Sequence, residues 1–182
     1  DGRGMRILLE EILGCSCAGL ATRLKVPKAF VLHGPSAANG KSEFIKLVRG
    51  MLPSESHSAI APSEMGKEQF LAELAGKTAN LTSEISSTRA IASDKMKAVI
   101  SGDVVSAKRV YCPVYQFQPT AVHVFAANTL PPFHDGVDEG IRRRFVVIPF
   151  EETIAEDRIV PDIAGRILKT EHMEYIRFSA EM

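Results

Sequence analysis

Apolar positions along the chain alternate between helical spacing and short unbroken runs. Residues 5–13 (MRILLEEIL) repeat at helical spacing with Arg6, Glu10 and Glu11 on the other face, and Gly14 or Gly19 ends that helix. Residues 28–33 (KAFVLH) form a short apolar run opening into a loop of Gly, Pro, Ser and Asn, the pattern of a buried strand. From Lys41 the string SEFIKLVRGML is helical until Pro53. Residues 68–75 (EQFLAELA) predict another amphipathic helix ended by Gly76, and 78–82 (TANLT) a weaker strand ending in Ser83-Glu84. Ser93 is placed to cap a helix running through Lys95, Met96 and Val99 to Gly102. Two β-rich stretches, 104–111 and 115–117, flank Cys112-Pro113 and predict a hairpin. Residues 121–126 (AVHVFA) and 145–148 (FVVI) are the clearest remaining strands, and a last helix starts at 163–168 and extends over Glu171 to Glu174.

Strands alternating with helices predict an α/β fold of three layers around a mostly parallel sheet, with the hairpin inserted. The chain divides into a helical lead-in (1–27), a core (28–150) and the start of a C-terminal helical segment (151–182). Composition agrees: 182 residues, 45% hydrophobic and 24% charged, describe a soluble globular domain able to bury its own core. A disordered tail, a collagen repeat and a coiled coil are excluded. No run approaches the ~20 apolar residues of a membrane span, so a cytoplasmic protein without a membrane partner is expected. Three cysteines (Cys15, Cys17, Cys112) and five scattered histidines show no metal-ligand spacing, and the thiols are expected to be reduced and mostly buried.

Net charge is zero, 22 basic against 22 acidic residues, so any contact with nucleic acid must be local. Between Ser86 and Tyr111, Arg89, Lys95, Lys97, Lys108 and Arg109 face only Asp94 and Asp103.

The densest chemical signal is His33-Gly34-Pro35-Ser36-Ala37-Ala38-Asn39-Gly40-Lys41-Ser42. A strand, a glycine-containing loop, Gly-Lys-Ser and a helix form the arrangement that holds a nucleotide triphosphate tail. Backbone N–H groups turn inward around phosphate, and the helix N-terminus adds positive potential. Residues Gly34, Pro35, Ser36, Ala37, Ala38, Asn39, Gly40, Lys41, Ser42 and Glu43 are the candidate cradle, with Lys41 on the β- and γ-phosphates and the Ser42 hydroxyl on Mg²⁺. Five residues rather than the usual four separate Gly34 from Gly40, so either one residue bulges or Gly34 lies outside the cradle. An ordinary turn containing Gly-Lys-Ser is the competing explanation.

Glu84, just past the TANLT strand, is the candidate for polarising water and completing the Mg²⁺ shell; the position before it is Ser83, so it stands alone. Asn128 follows its own strand in the same way and suits a polar sensor of the γ-phosphate, although Asn128-Thr129-Leu130-Pro131-Pro132 also reads as turn chemistry. Arg142-Arg143-Arg144 is either a surface cluster or the source of an arginine reaching a neighbouring subunit's γ-phosphate.

Gly34 to Ser42, Glu84, Ile100-Ser101-Gly102-Asp103, Asn128-Thr129-Leu130-Pro131 and Arg143-Arg144 to Phe150 occur in an order that resembles the helicase domain of phage- and plasmid-type primase-helicases. These belong to superfamily 3 and are related to the poxvirus primase-helicase. The likeness extends roughly from Leu8 to Leu168. It implies a P-loop NTPase (AAA+-like) core that binds ATP and Mg²⁺ and assembles as a homo-oligomer, usually a hexameric ring. It also implies movement along single-stranded DNA and a primase domain on the same polypeptide. By position, Lys41 and Ser42 match phosphate and Mg²⁺ contacts, Glu84 the acid, Asn128 the sensor, and Arg144, with Arg143 second, the arginine finger. Residues 104–117 match a channel hairpin, making Lys108, Arg109, Tyr111 and Tyr115, and more weakly Lys97, candidates for DNA contact. The expected function is an ATP-dependent DNA helicase motor. A small-molecule or nucleotide kinase and a non-catalytic DNA-binding scaffold are the alternatives.

Overall fold

The computed structural model describes residues 2–20 and 25–170; the helix extension expected over Glu171 to Glu174 lies outside them. In chain order the elements are α1 (Gly2–Ala18), β1 (Ala29–His33), α2 (Lys41–Gly50), β2 (His57–Ser58), α3 (Glu68–Leu71), β3 (Ala79–Thr82) and α4 (Ser93–Ser101). They continue with β4 (Val105–Ala107), β5 (Tyr115–Phe117), β6 (Val122–Ala127), α5 (Glu139–Arg142), β7 (Phe145–Pro149) and α6 (Ile163–Thr170). Five strands pair in parallel in the order β2-β3-β6-β1-β7, and β4 with β5 forms a separate antiparallel ribbon.

Successive residues of the inner strands point to opposite faces, and both faces are covered. Val31, Phe125 and Ala127 pack with Leu71 of α3 and with Met96, Val99 and Ile100 of α4. Phe30, Leu32, Val122 and Val124 pack with Ile45, Leu47 and Val48 of α2, Ile12 and Leu13 of α1, and Ala164 of α6. Covering both faces is why these strands read as apolar runs rather than as alternating patterns.

Several elements depart from the sequence expectation. Helix α1 passes through Gly14 and stops at Gly19, whose φ of +63° is the left-handed turn-off glycine tolerates. The helix expected over 68–75 divides into α3 and a 3-10 turn at Ala72–Leu74. Ser93 does not cap α4: Ala92 is the N-cap, and the Ser93 hydroxyl is buried without a partner. The hairpin strands are three residues each, leaving 108–114 as a long tip. Among the cysteines, Cys112 is exposed and Cys15 and Cys17 are half-buried, with burial raising the pKa of the latter two.

Edge strand β2 has two residues, too few to hold itself by ladder bonds. A buried side chain does the work: Asn80 Oδ1 accepts from Ser58 Oγ (2.9 Å) and the Ile60 N–H (2.7 Å), while Nδ2 donates to the Ile60 carbonyl (2.9 Å). Beside it in register, His123 is fully buried, and burial pushes its pKa down from 6.5 to about 4. An imidazole that is neutral when folded and protonates near 6.5 when unfolded favours the unfolded chain between those values. Its contribution is complete above pH 6.5 and is lost toward pH 4, with a slope approaching ~1.4 kcal/mol per pH unit. Urea unfolding at stepped pH should show this decline in the native protein and a flatter profile in His123→Leu.

Candidate functional site

Strands β1, β3 and β6 run the same way, so their carboxyl ends share one edge of the sheet, the usual place for a ligand crevice. The backbone of β6 fixes what leaves its two neighbours. Its Ala127 carbonyl accepts from the Gly34 N–H at 3.1 Å, and its Ala126 carbonyl from the Ile85 N–H at 3.0 Å. The loop after β1, the turn after β3 and Asn128 after β6 therefore converge. Together they line a cavity of about 340 Å³ formed by residues 36–43, Ser83, Glu84, Ala126 and Asn128. The structure thus brings Lys41, Ser42, Glu43, Glu84 and Asn128 to one space. Gly34 and Pro35 do not line it. Glu84 leaves the second strand away from β1, roughly 10 Å across the sheet at ~4.8 Å per strand.

Gly34 serves the loop from below. A Cβ there would lie 2.1 Å from the Phe150 carbonyl oxygen and 2.6 Å from Asn39 Nδ2, so no side chain fits. The loop has left-handed backbone at Ala38 (φ +54°) and Gly40 (φ +90°). Gly40 is the N-cap of α2 and supplies no side-chain acceptor to the first N–H groups of that helix, which suits an anion.

Lys41 is 6% exposed, and burial lowers its pKa. Its Nζ donates to the Gly34 carbonyl (2.7 Å), the Ser36 carbonyl (3.1 Å) and Asn39 Oδ1 (3.0 Å). The segment after β7 closes the outer side of the loop. Phe150 N–H donates to the His33 carbonyl (2.6 Å), Asn39 Nδ2 to the Phe150 carbonyl (2.9 Å), Thr153 Oγ1 to Ser36 Oγ (2.8 Å) and Ile154 N–H to the Ala38 carbonyl (2.8 Å). Glu43 is held by Lys46 and accepts from the Ala164 N–H of α6 at 3.3 Å, and the Lys46 contact keeps its carboxyl below the usual carboxylate range. Nothing in the sequence of 150–154 announced this part of the site, because backbone groups make most of its bonds.

The remaining candidates lie elsewhere. Arg142, Arg143 and Arg144 precede β7, at the sheet edge opposite the loop after β1, and none lines the cavity. Arg144 is half-buried and committed within the chain, its Nε donating to Ser101 Oγ (2.9 Å) and a terminal nitrogen to the Gly140 carbonyl (3.0 Å). Arg143 is exposed. Lys97 pairs with Asp94 and Asp138, each at 3.0 Å, and joins α4 to the cap of α5. Tyr115 donates to the Ala72 carbonyl at 3.2 Å and packs on Phe117. Lys108, Arg109 and Tyr111 are displayed on the hairpin tip, with Tyr111 fully exposed at φ +62°.

The model of DUF5906, a family of unknown function, matches residues 32–144. The chain belongs to this family. The DUF5906 match takes in the loop after β1, Glu84, the hairpin, Asn128 and the arginine triplet. Among solved structures, the A form apo structure of the NrS-1 C-terminal region is similar in fold, with a TM-score of 0.71 at 14% identity. The similarity covers 100% of this chain and 42% of that one, so the chain spans less than half the length of its structural neighbour. No curated protein matches it in sequence. Among the described residues no helix is long and apolar enough to cross a membrane, and no three His, Cys, Asp or Glu side chains gather as a metal site.

The two loop glycines should fail differently. Gly34→Ala forces a Cβ against backbone and should cost about 2–3 kcal/mol in urea unfolding. Gly40→Ala meets nothing closer than 4.0 Å and should cost about 1 kcal/mol, through its torsion.

Proposed function

We propose that this DUF5906 chain is an ATP-hydrolysing motor module of the superfamily 3 helicase type, acting on single-stranded DNA in replication. The observation that carries the reading is the convergence of Lys41, Ser42, Glu84 and Asn128, from three strand ends, on one cavity. In this reading the α2 N-terminus and Lys41 bind the phosphates. Glu84 orients and deprotonates the attacking water, and Asn128 holds a γ-phosphate oxygen or that water. The hydroxyl of Ser42 and the carboxylate of Glu84 are hard oxygen donors of the kind Mg²⁺ takes, and they would hold it with phosphate oxygens and water. Mg²⁺ would neutralise charge on the β- and γ-phosphates.

An arginine at the far edge of the sheet reaches a phosphate only on another copy, so a homo-oligomer, a hexameric ring in the whole protein, follows from the reading. Arg143 is the preferred finger because its guanidinium is not engaged by Ser101 and Gly140. Lys108 and Arg109 contact phosphates of the strand, and Tyr111 stacks on a base. A primase domain on the same polypeptide is part of the proposal.

ATP turnover measured with and without single-stranded DNA tests the whole reading. DNA-stimulated hydrolysis is expected, with Lys41→Ala abolishing it in a folded protein. Glu84→Gln should retain nucleotide binding and lose on the order of 10²–10⁴-fold in rate. Tyr111→Ala should weaken DNA stimulation without lowering the basal rate. Turnover that needs a small acceptor would instead make the chain a kinase, and no turnover a scaffold.

A further inference from the structure

We infer that Asn39 is a positioning residue, whose carboxamide sets where Lys41 meets a phosphate and ties that lysine to the segment following β7; this rests on the nucleotide reading above. The side chain has three partners: Nδ2 donates to the Ser36 carbonyl (2.8 Å) and the Phe150 carbonyl (2.9 Å), and Oδ1 accepts from Lys41 Nζ (3.0 Å). A carboxamide suits this place because it offers two donors and an acceptor at one end. The orientation of the amide follows from its neighbours. Turned over, its oxygen would face two carbonyl oxygens and its NH₂ an ammonium, and all three contacts would become repulsive. Both amide hydrogens are used, one on each carbonyl.

The joint is also tight. Asn39 Nδ2 and the Phe150 carbonyl occupy the space a Gly34 Cβ would need, so glycine at 34 and asparagine at 39 are parts of one contact. Lys41 is buried with three oxygen acceptors, two of them loop carbonyls at its root. Asn39 Oδ1 is the third, supplied by a side chain on the loop immediately before α2. An arriving phosphate oxygen competes with these acceptors for the ammonium. Removing Asn39 Oδ1 leaves Lys41 on the two carbonyls, and removing Nδ2 frees the Phe150 carbonyl. The same amide therefore links phosphate binding to the strap whose Ile154 N–H is held by Ala38.

The test uses the full chain with ¹⁵N-lysine, the Lys41 ammonium resonance being identified by its loss in Lys41→Ala. The native protein should show an ordered, slowly exchanging Lys41 ammonium and a protected Ile154 amide. Asn39→Ala should shift the ammonium signal and speed exchange at both sites, and should raise KM for Mg-ATP about tenfold with kcat within about twofold. Asn39→Asp keeps the acceptor and drops the donors, so it should retain the ammonium signal while Ile154 exchanges fast. An unchanged ammonium signal in folded Asn39→Ala, or a collapse of kcat at unchanged KM, overturns the inference. If the native protein turns over no ATP, the proposed function falls. The lysine signal and Ile154 exchange then still decide whether Asn39 holds Lys41 and the strap.

Discussion

A buried ammonium must be surrounded by oxygen, and the carboxyl edge of this sheet is organised around that requirement. Lys41 comes from the first turn of α2, yet its charge is met by the Gly34 and Ser36 carbonyls and by Asn39 Oδ1, all from the preceding loop. To aim those oxygens inward the loop must close on itself. It does so through left-handed backbone at Ala38 and Gly40 and the close packing at Gly34. The loop is in turn held by β6, through the Ala127 carbonyl, and by the strap after β7. In the proposed reading, a phosphate chain would supply the oxygens that the lysine is otherwise given by the loop's own carbonyls and by Asn39.

The sheet separates two kinds of chemistry. Its carboxyl edge carries the cavity with Glu84 and Asn128, and its amino edge carries the arginine triplet and the root of the hairpin. Thr120 Oγ1, donating to the Lys77 carbonyl at 3.1 Å, pins the hairpin's exit beside the start of β3. The Arg144–Ser101 bond joins the start of β7 to the end of α4 at that same edge. Helix α4 leads from the Ile91 bridge with Phe133 to the root of the hairpin. Met96, Val99 and Ile100 of α4 are fixed in the core under the sheet.

Strong periodicity was legible, and local geometry was not. The apolar runs of β1 and β6 were readable because both faces of these inner strands are covered, and that of the edge strand β7 because Phe145, Val146 and Ile148 pack on the two cores. The convergence of Lys41, Glu84 and Asn128 was readable because a residue after a parallel strand must emerge at that strand's carboxyl edge. Strand β2 was invisible because two residues have no period and Asn80, elsewhere in the chain, holds it. Ser93 had the right residue type for a cap, yet its hydroxyl is buried in the first turn of the helix and α4 begins from Ala92 without a side-chain cap. The strap over residues 150–154 acts chiefly through backbone atoms, which a sequence does not differentiate.

The arginine triplet shows why position in a motif and availability in space are separate questions. Arg144 sits directly before the apolar strand, the position expected from the sequence for an arginine finger. In this chain, however, its donors face Ser101 and Gly140. Releasing it to a neighbouring phosphate would break two hydrogen bonds to a guanidinium and loosen the contact between β7 and α4. Arg143 has no such obligation: its carbonyl accepts from Lys28 and its exposed side chain projects from the amino edge. In the proposed motor the sturdier arrangement is a division of labour, in which Arg144 fixes the start of β7 and its immediate neighbour would act across an interface.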